Sequence, residues 1–244
     1  MKALKDLVDT NIDVDIEEII DDSRIKSHNS LFCAIKGIES DGHNYVSEAV
    51  NNGAVAILAE KEVTVNIPVI TVSDSALSMN NALNSFYDKP LDKLKLIAVT
   101  GTDGKTTVAN MIYQILNKHY KSAIIGTYTA ICDNYSLVNT MTTPFPCELF
   151  KFFDVFCKND CQYSVMEVSS ERLATNRMNG INYDISILTN ITPDHLDTHK
   201  TMDNYVAAKC KMFENTKKDG LCVINYDSQY ADSFINKSNA KVLT

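Results

Sequence analysis

The chain has 244 residues, 45% apolar and 22% charged, and a formal net charge of −8. That length suits one large or two ordinary domains. The acidic balance excludes a general attraction to nucleic acid, so any phosphate must be held by a local device.

The first twenty residues, with Asp9, Asp13, Asp15, Glu17 and Glu18, lack the basic and apolar regions of a signal peptide. No run approaches the roughly 18 apolar residues of a membrane span. Seven scattered cysteines, Cys157 and Cys161 among them, show no paired metal-ligand spacing and read as reduced thiols. The expectation is a soluble, cytoplasmic protein.

Along the chain, Leu31–Ile35 reads as a strand ending at Gly37. Residues 43–52 have helical spacing and stop at Gly53, a fitting residue just past a helix. Strands follow at 54–58 and 69–72, then a helix at 76–87. Asp88-Lys89-Pro90 breaks the pattern, because proline and its predecessor disfavour helix, and places a domain boundary there. Beyond it, strands at 96–100, 122–125, 163–168, 185–189 and 221–224 alternate with helices at 105–119, 147–156, 202–213 and 228–235. Alternation of this kind predicts a mostly parallel sheet with crossover helices. A last strand is expected at 241–243, in a sheet that looks incomplete. The fold expected is therefore α/β, a small domain over 1–88 followed by a parallel-sheet domain over 89–244.

The strand 96–100 runs directly into Gly101-Thr102-Asp103-Gly104-Lys105-Thr106-Thr107 and a long helix. That order aims several backbone N–H groups and the positive end of the helix dipole at one point. Lys105 would reach phosphates and the Thr106 hydroxyl a Mg²⁺ ion. Val99 stands where the full Walker pattern has glycine. Glu167 ends the apolar strand Tyr163–Val168, at the edge where ligands bind in open α/β sheets. Asp194, His195 and His199 superficially suggest zinc, but Pro193 and the missing H-E-x-x-H glutamate argue against it. Lys209, taken alone, reads as an exposed helix lysine.

T-G-T-D-G-K-T-T resembles the ATP loop shared by Mur ligases and folylpolyglutamate synthetases, with Asp103 where Asn or Lys is more frequent. M-E-V-S-S (166–170) resembles the Mg²⁺-binding strand of the Mur ligases, although Glu171-Arg172 stands where the tripeptide-forming members usually have His-Gly. T-N-I-T-P-D-H-L-D (189–197) and Y-V-A-A-K (205–209) resemble two further segments of that family. The resemblance implies that His195 helps hold a second Mg²⁺ and that Lys209 is carbamylated, which requires a lysine of depressed pKa.

The resemblance extends to Asp22-Ser23-Arg24, Asp41-Gly42-His43-Asn44-Tyr45 and Thr142-Thr143-Pro144, with Met141 replacing the usual asparagine. It implies that Ser23, Ile38, Glu39 and Ser40 contact the uridine diphosphate, Arg24 being equally a structural ion-pair partner. It also implies that Thr142, Thr143, Ser169, Thr175 and Arg177 contact the muramyl-peptide, Thr175 replacing a frequent glutamine.

The implied reaction is ATP-dependent amide ligation through an acyl phosphate, adding a diamino acid to UDP-MurNAc-L-Ala-D-Glu in peptidoglycan synthesis. Lys105, Glu167, His195 and Lys209 would be catalytic, Gly101–Thr107 would bind ATP, and Thr106, Glu167, His195 and Lys209 would hold Mg²⁺. The expected protein is a monomer without nucleic-acid or membrane partners. The resemblance covers only the front part of a family chain, so this chain is expected to bind better than it catalyses. A folylpolyglutamate-synthetase-like ligase and a non-catalytic nucleotide-sugar-binding module are the alternatives.

Overall fold

Short apolar runs become parallel strands in both halves of the chain, because a strand covered on both faces is nearly continuously hydrophobic. The computed structural model describes residues 1–244 except 38, 39, 128, 134 and 140. Two units form: Met1–Lys89 with Thr175–Gly180, and Pro90–Ala174 with Ile181–Thr244.

In the first unit, β1 (Lys2–Ala3) pairs antiparallel with β2 (Asp15–Ile16). Strands β3 (Glu18–Ile20), β4 (Ser30–Cys33), β5 (Ala54–Ala59) and β6 (Val69–Thr71) make a parallel sheet in that order. Ile20, Phe32 and Ile57 from the strands pack with Val46 and Ala49 of α1 (Val46–Asn51). The helix expected from residue 43 thus begins later, because Gly42–Tyr45 forms a tighter 3₁₀ turn capped by the Asp41 carboxylate.

Helix α2 (Ser75–Phe86) starts on Asp74, whose carboxylate accepts from the Leu77 N–H at 2.8 Å. Along it lies the segment Thr175–Gly180, which the sequence had assigned to the second domain. Buried Asn80 donates from Nδ2 to the carbonyls of Arg177 (2.8 Å) and Asn179 (2.7 Å), and Asn179 donates to Asp74 at 2.9 Å. Gly180 ends the segment at φ +81°, where a Cβ would stand 2.7 Å from Leu77.

After Asp88 and Lys89, both at positive φ, the second unit opens with the short α3 (Pro90–Lys93). It continues through β7 (Lys95–Thr100), α4 (Lys105–Leu116), β8 (Ser122–Gly126), β9 (Thr129–Cys132), β10 (Tyr135–Val138) and α5 (Pro146–Lys158). Then come β11 (Tyr163–Glu167), α6 (Ser170–Ala174), β12 (Tyr183–Leu188), α7 (Leu196–His199) and α8 (Met202–Glu214). β13 (Thr216–Ile224), α9 (Ala231–Lys237) and β14 (Lys241–Leu243) complete it.

The sheet order is β10-β9-β8-β11-β7-β12-β13-β14, parallel from β8 to β14 and antiparallel through β9 and β10. The chain leaves central β7 toward one edge and later crosses to the other side of it. The carboxyl end of β7 therefore lies at a reversal of strand order, where such sheets bind ligands. Ile97, Val99, Ile124 and Val165 pack beneath Ala109 and Tyr113 of α4. Among the described residues, no helix is long and apolar enough to cross a membrane.

Asn80→Ala should lower the unfolding free energy by about 1–3 kcal/mol, since two carbonyls lose their buried donor. It should also speed proteolysis within residues 175–180. Denaturant titration and timed digestion measure both, and wild-type behaviour in each would contradict the anchoring role.

Candidate functional site

At the carboxyl end of β7 the backbone turns through Gly101 at φ +148° and Gly104 at φ +80°. A Cβ on Gly101 would collide with Thr189 Oγ1 and crowd the Asn190 carbonyl at 3.0 Å, so only glycine lets the loop pass there. The residues after β12 fasten this loop. Asn190 Oδ1 accepts from the Asp103 N–H (2.9 Å), Thr189 Oγ1 donates to the Asp103 carbonyl (2.6 Å), and the Thr192 N–H donates to Thr102 Oγ1 (3.0 Å). The Asp103 side chain is left exposed, as is Thr107 on the first turn of α4.

Lys105 curls back to donate to the carbonyls of Gly101 (3.0 Å) and Thr102 (2.7 Å). Thr106 Oγ1, on the same turn, donates to Glu167 Oε2 at 2.8 Å. Glu167 is buried, and its Oε1 accepts from the Thr127 N–H at 3.0 Å. Gly126 makes room for that carboxylate, since a Cβ there would come within 2.5 Å of Oε1.

The Thr143 hydroxyl donates to the Glu167 carbonyl (3.0 Å) and accepts from the Ser169 N–H (2.8 Å). Thr127 Oγ1 donates to Thr142 Oγ1 at 3.2 Å. Gly101–Thr106, Thr142, Thr143, Glu167 and Ser169 are thus drawn together by hydrogen bonds.

Lys209 is not the exposed lysine that it resembles in isolation: it is 1% exposed, the polar member of the buried face of α8 with Tyr205, Ala208 and Met212. Its ammonium donates to the Gly101 carbonyl (2.9 Å) and Thr100 Oγ1 (3.3 Å) and lies 4.8 Å over the Tyr205 ring. Burial, reinforced by the nearby Lys105 charge, lowers its pKa to about 7.

Tyr205, which the sequence reading passed over, is a hub. Its hydroxyl pairs with Thr102 Oγ1 (3.1 Å), and its ring meets His199 (5.2 Å between centroids) and His195 (6.3 Å). His195 sits at φ +52° and is half exposed, with Nδ1 3.6 Å from Glu171 and Nε2 3.4 Å from Asp194. His199 is buried against Ser170 Oγ (3.0 Å), and burial followed by the charges of His195 and Lys209 lowers its pKa. Among the described residues, no group of three or more His, Cys, Asp or Glu side chains forms a metal cluster.

The remaining predicted residues lie in the first unit. Buried Ser23 donates to Glu48 at 2.5 Å, and the Ser40 carbonyl accepts from the Gly37 N–H at 2.8 Å. Ile38 and Glu39 lie outside the described residues. Arg24 makes a two-pronged ion pair with Asp22 on the surface (2.9 and 2.7 Å). Arg177 pairs with Asp21, both largely buried, and Thr175 is half-buried in the same segment.

A glycine loop between a central parallel strand and a helix, with a buried acid on the neighbouring strand, defines a phosphate-loop α/β domain. The Mur ligase middle domain matches residues 99–244, the Mur ligase family catalytic domain matches residues 15–90, and the chain belongs to the Mur ligase family. It is 38% identical to the UDP-N-acetylmuramoyl-L-alanyl-D-glutamate–2,6-diaminopimelate ligase of Caldanaerobacter subterraneus subsp. tengcongensis, covering 100% of this chain and 51% of that one. It is 40% identical to the ligase of the same name from Bacillus velezensis (95% and 49% covered). A solved structure of a ligase with that name superposes with a TM-score of 0.81 at 25% identity, over 100% of this chain and 52% of that one. The chain spans about half the length of the curated relatives it matches.

The depressed Lys209 pKa fixes a sign. Between about pH 7 and the ordinary lysine range, the unfolded chain binds a proton that the folded chain does not, so stability gains with rising pH there. Relative to Lys209→Met, the wild type should gain up to about 1.4 kcal/mol per pH unit above pH 7. Denaturant titrations at several pH values measure this, and parallel stability curves would show that the amine is not shifted.

Proposed function

We propose that this chain forms the nucleotide-sugar-binding and ATP-binding parts of an ATP-dependent ligase. The ligase joins 2,6-diaminopimelate to UDP-MurNAc-L-Ala-D-Glu in peptidoglycan synthesis. The observation that carries the reading is the phosphate loop tied through Thr106 to buried Glu167, in a chain similar to the front half of two relatives of that name. The substrate carboxylate attacks the γ-phosphorus of ATP, giving an acyl phosphate and ADP. The amine of the diamino acid then displaces phosphate and forms the amide. The protein contributes positioning and charge stabilisation.

The backbone N–H groups of Gly101–Thr107 and the Lys105 ammonium receive the phosphates. Thr142, Thr143 and Ser169 orient the muramyl-peptide, and the family resemblance implies Thr175 and Arg177 as further contacts to it. Ser23, Ile38, Glu39 and Ser40 contact the uridine diphosphate.

A hydroxyl beside a buried carboxylate is an oxygen donor set suited to Mg²⁺, which keeps several waters and needs few protein ligands. Thr106 and Glu167 would hold one such ion, and His195 with carbamylated Lys209 a second; bound Mg²⁺ supplies neutralisation of phosphoryl charge. Lys209 has the property that carbamylation needs, an amine whose pKa is lowered to about 7. The amine adds to CO₂ and releases one proton.

Lys105→Ala should reduce ATP affinity at least tenfold, the loss of one charge-assisted contact to phosphate. Isothermal titration reads this, and unchanged affinity would remove the phosphate-loop assignment. Labelling with ¹³CO₂ at neutral pH should give a carbamate resonance that Lys209→Ala abolishes. In the full-length protein, Lys209→Ala should lose activity and regain part of it with a short carboxylate, whereas Lys209→Arg should stay inactive. A fully active arginine variant would refute the carbamate.

A further inference from the structure

Directly after the Met166–Ser170 segment come two charged residues, Glu171 and Arg172, and Arg172 brings a guanidinium close to the site. Arg172 lies on α6, directly after the strand that ends in Glu167. Its Nε donates to the Thr143 carbonyl at 3.0 Å and its Nη2 meets Met141 Sδ at 2.7 Å. Its Cζ lies 3.5 Å above the Phe145 ring, within the range of a cation–π contact. One planar group therefore touches three residues of a five-residue loop.

That loop faces the site from both its threonines. Thr143 is fixed from its other side by the Glu167 carbonyl and the Ser169 N–H, and Thr142 shares a hydrogen bond with Thr127. The Thr127 N–H in turn holds the Glu167 carboxylate. A displacement of residues 141–145 would be felt by Thr142, by Thr143 and, through Thr127, by the acid itself.

We propose that Arg172 is a positioning residue for the loop Met141–Phe145, and through it for the carboxylate-bearing muramyl-peptide. The inference rests on the reading that Thr142 and Thr143 contact that substrate. Arginine suits the task as lysine does not. The directional Nε donor meets the carbonyl while the flat face lies on the ring, and an ammonium offers neither together. Met141 belongs to the same device, because a long thioether reaches the guanidinium and adapts its shape to it.

The test is steady-state kinetics of the full-length protein with UDP-MurNAc-L-Ala-D-Glu and ATP varied separately. Arg172→Ala should raise KM for the muramyl-peptide about tenfold while leaving KM for ATP within twofold, the scale of one charge-assisted hydrogen bond. Arg172→Lys should restore little of this. Phe145→Leu should raise the same KM, and the double variant should be no worse than Arg172→Ala alone, because coupled contacts are not additive.

An unchanged muramyl-peptide KM, equal changes in both KM values, or full rescue by lysine would overturn the proposal. If Arg172→Ala does not fold, Arg172→Lys and Phe145→Leu decide by the same readout. Thr142→Val separates the two levels. If it raises the muramyl-peptide KM while the Arg172 variants do not, the clamp fails alone. If it too is silent, the substrate reading of the loop fails and takes the clamp with it.

Discussion

Two lysine ammonium groups converge on one backbone oxygen, the carbonyl of Gly101, at 3.0 Å from Lys105 and 2.9 Å from Lys209. Lys209 is denied water, and the like charge of Lys105 adds a smaller repulsion. Its proton is therefore held weakly, and its pKa is lowered to about 7. An anion held beside the loop would relieve that repulsion. The surrounding architecture serves to keep this carbonyl in place. Gly101 lets the loop pass Thr189 and Asn190, those residues fasten Asp103, and the Tyr205 hydroxyl steadies Thr102.

The neighbouring acid is held by a complementary arrangement. Glu167 is buried, but each carboxylate oxygen has a donor: Thr106 from the phosphate loop and Thr127 from the turn after β8. A buried carboxylate left without donors would be costly, so these bonds account for how it persists at the end of an apolar strand. They also connect three otherwise separate segments of sequence. Through Thr127 and Thr143 the loop at 141–145 is tied to the same acid.

Much of this was legible in the sequence, for identifiable reasons. The strand–glycine–helix order at residues 96–107 is local, and local order survives folding, so the loop and α4 appear where spacing placed them. The hairpin of β9 and β10 was missed because Thr129–Cys132 and Tyr135–Val138 are short and one of them is mostly exposed. β13 begins five residues before the expected strand, its polar start at Thr216–Gly220 masking the β pattern.

The depth of Lys209 could have been read from the apolar stripe Tyr205, Ala208 and Met212, which places residue 209 on the same face of a helix. The role of Tyr205, by contrast, depends on partners at 102, 195 and 199 that only the tertiary fold assembles. The same is true of Arg172, whose three partners lie about thirty residues upstream.

The excursion of Thr175–Gly180 into the first unit bears on how such a protein can be taken apart. The backbone passes between the units at 89/90, 174/175 and 180/181, so neither unit is a single uninterrupted stretch of polypeptide. A cut at residue 89 therefore does not yield two independent pieces. The amino-terminal piece loses the strip that Asn80 and Asp74 hold, and the other carries it away as an unanchored bulge. Recombination between relatives at that junction inherits the same difficulty. A swapped amino-terminal segment must match, through Asn80 and Asp74, a strip encoded almost ninety residues later.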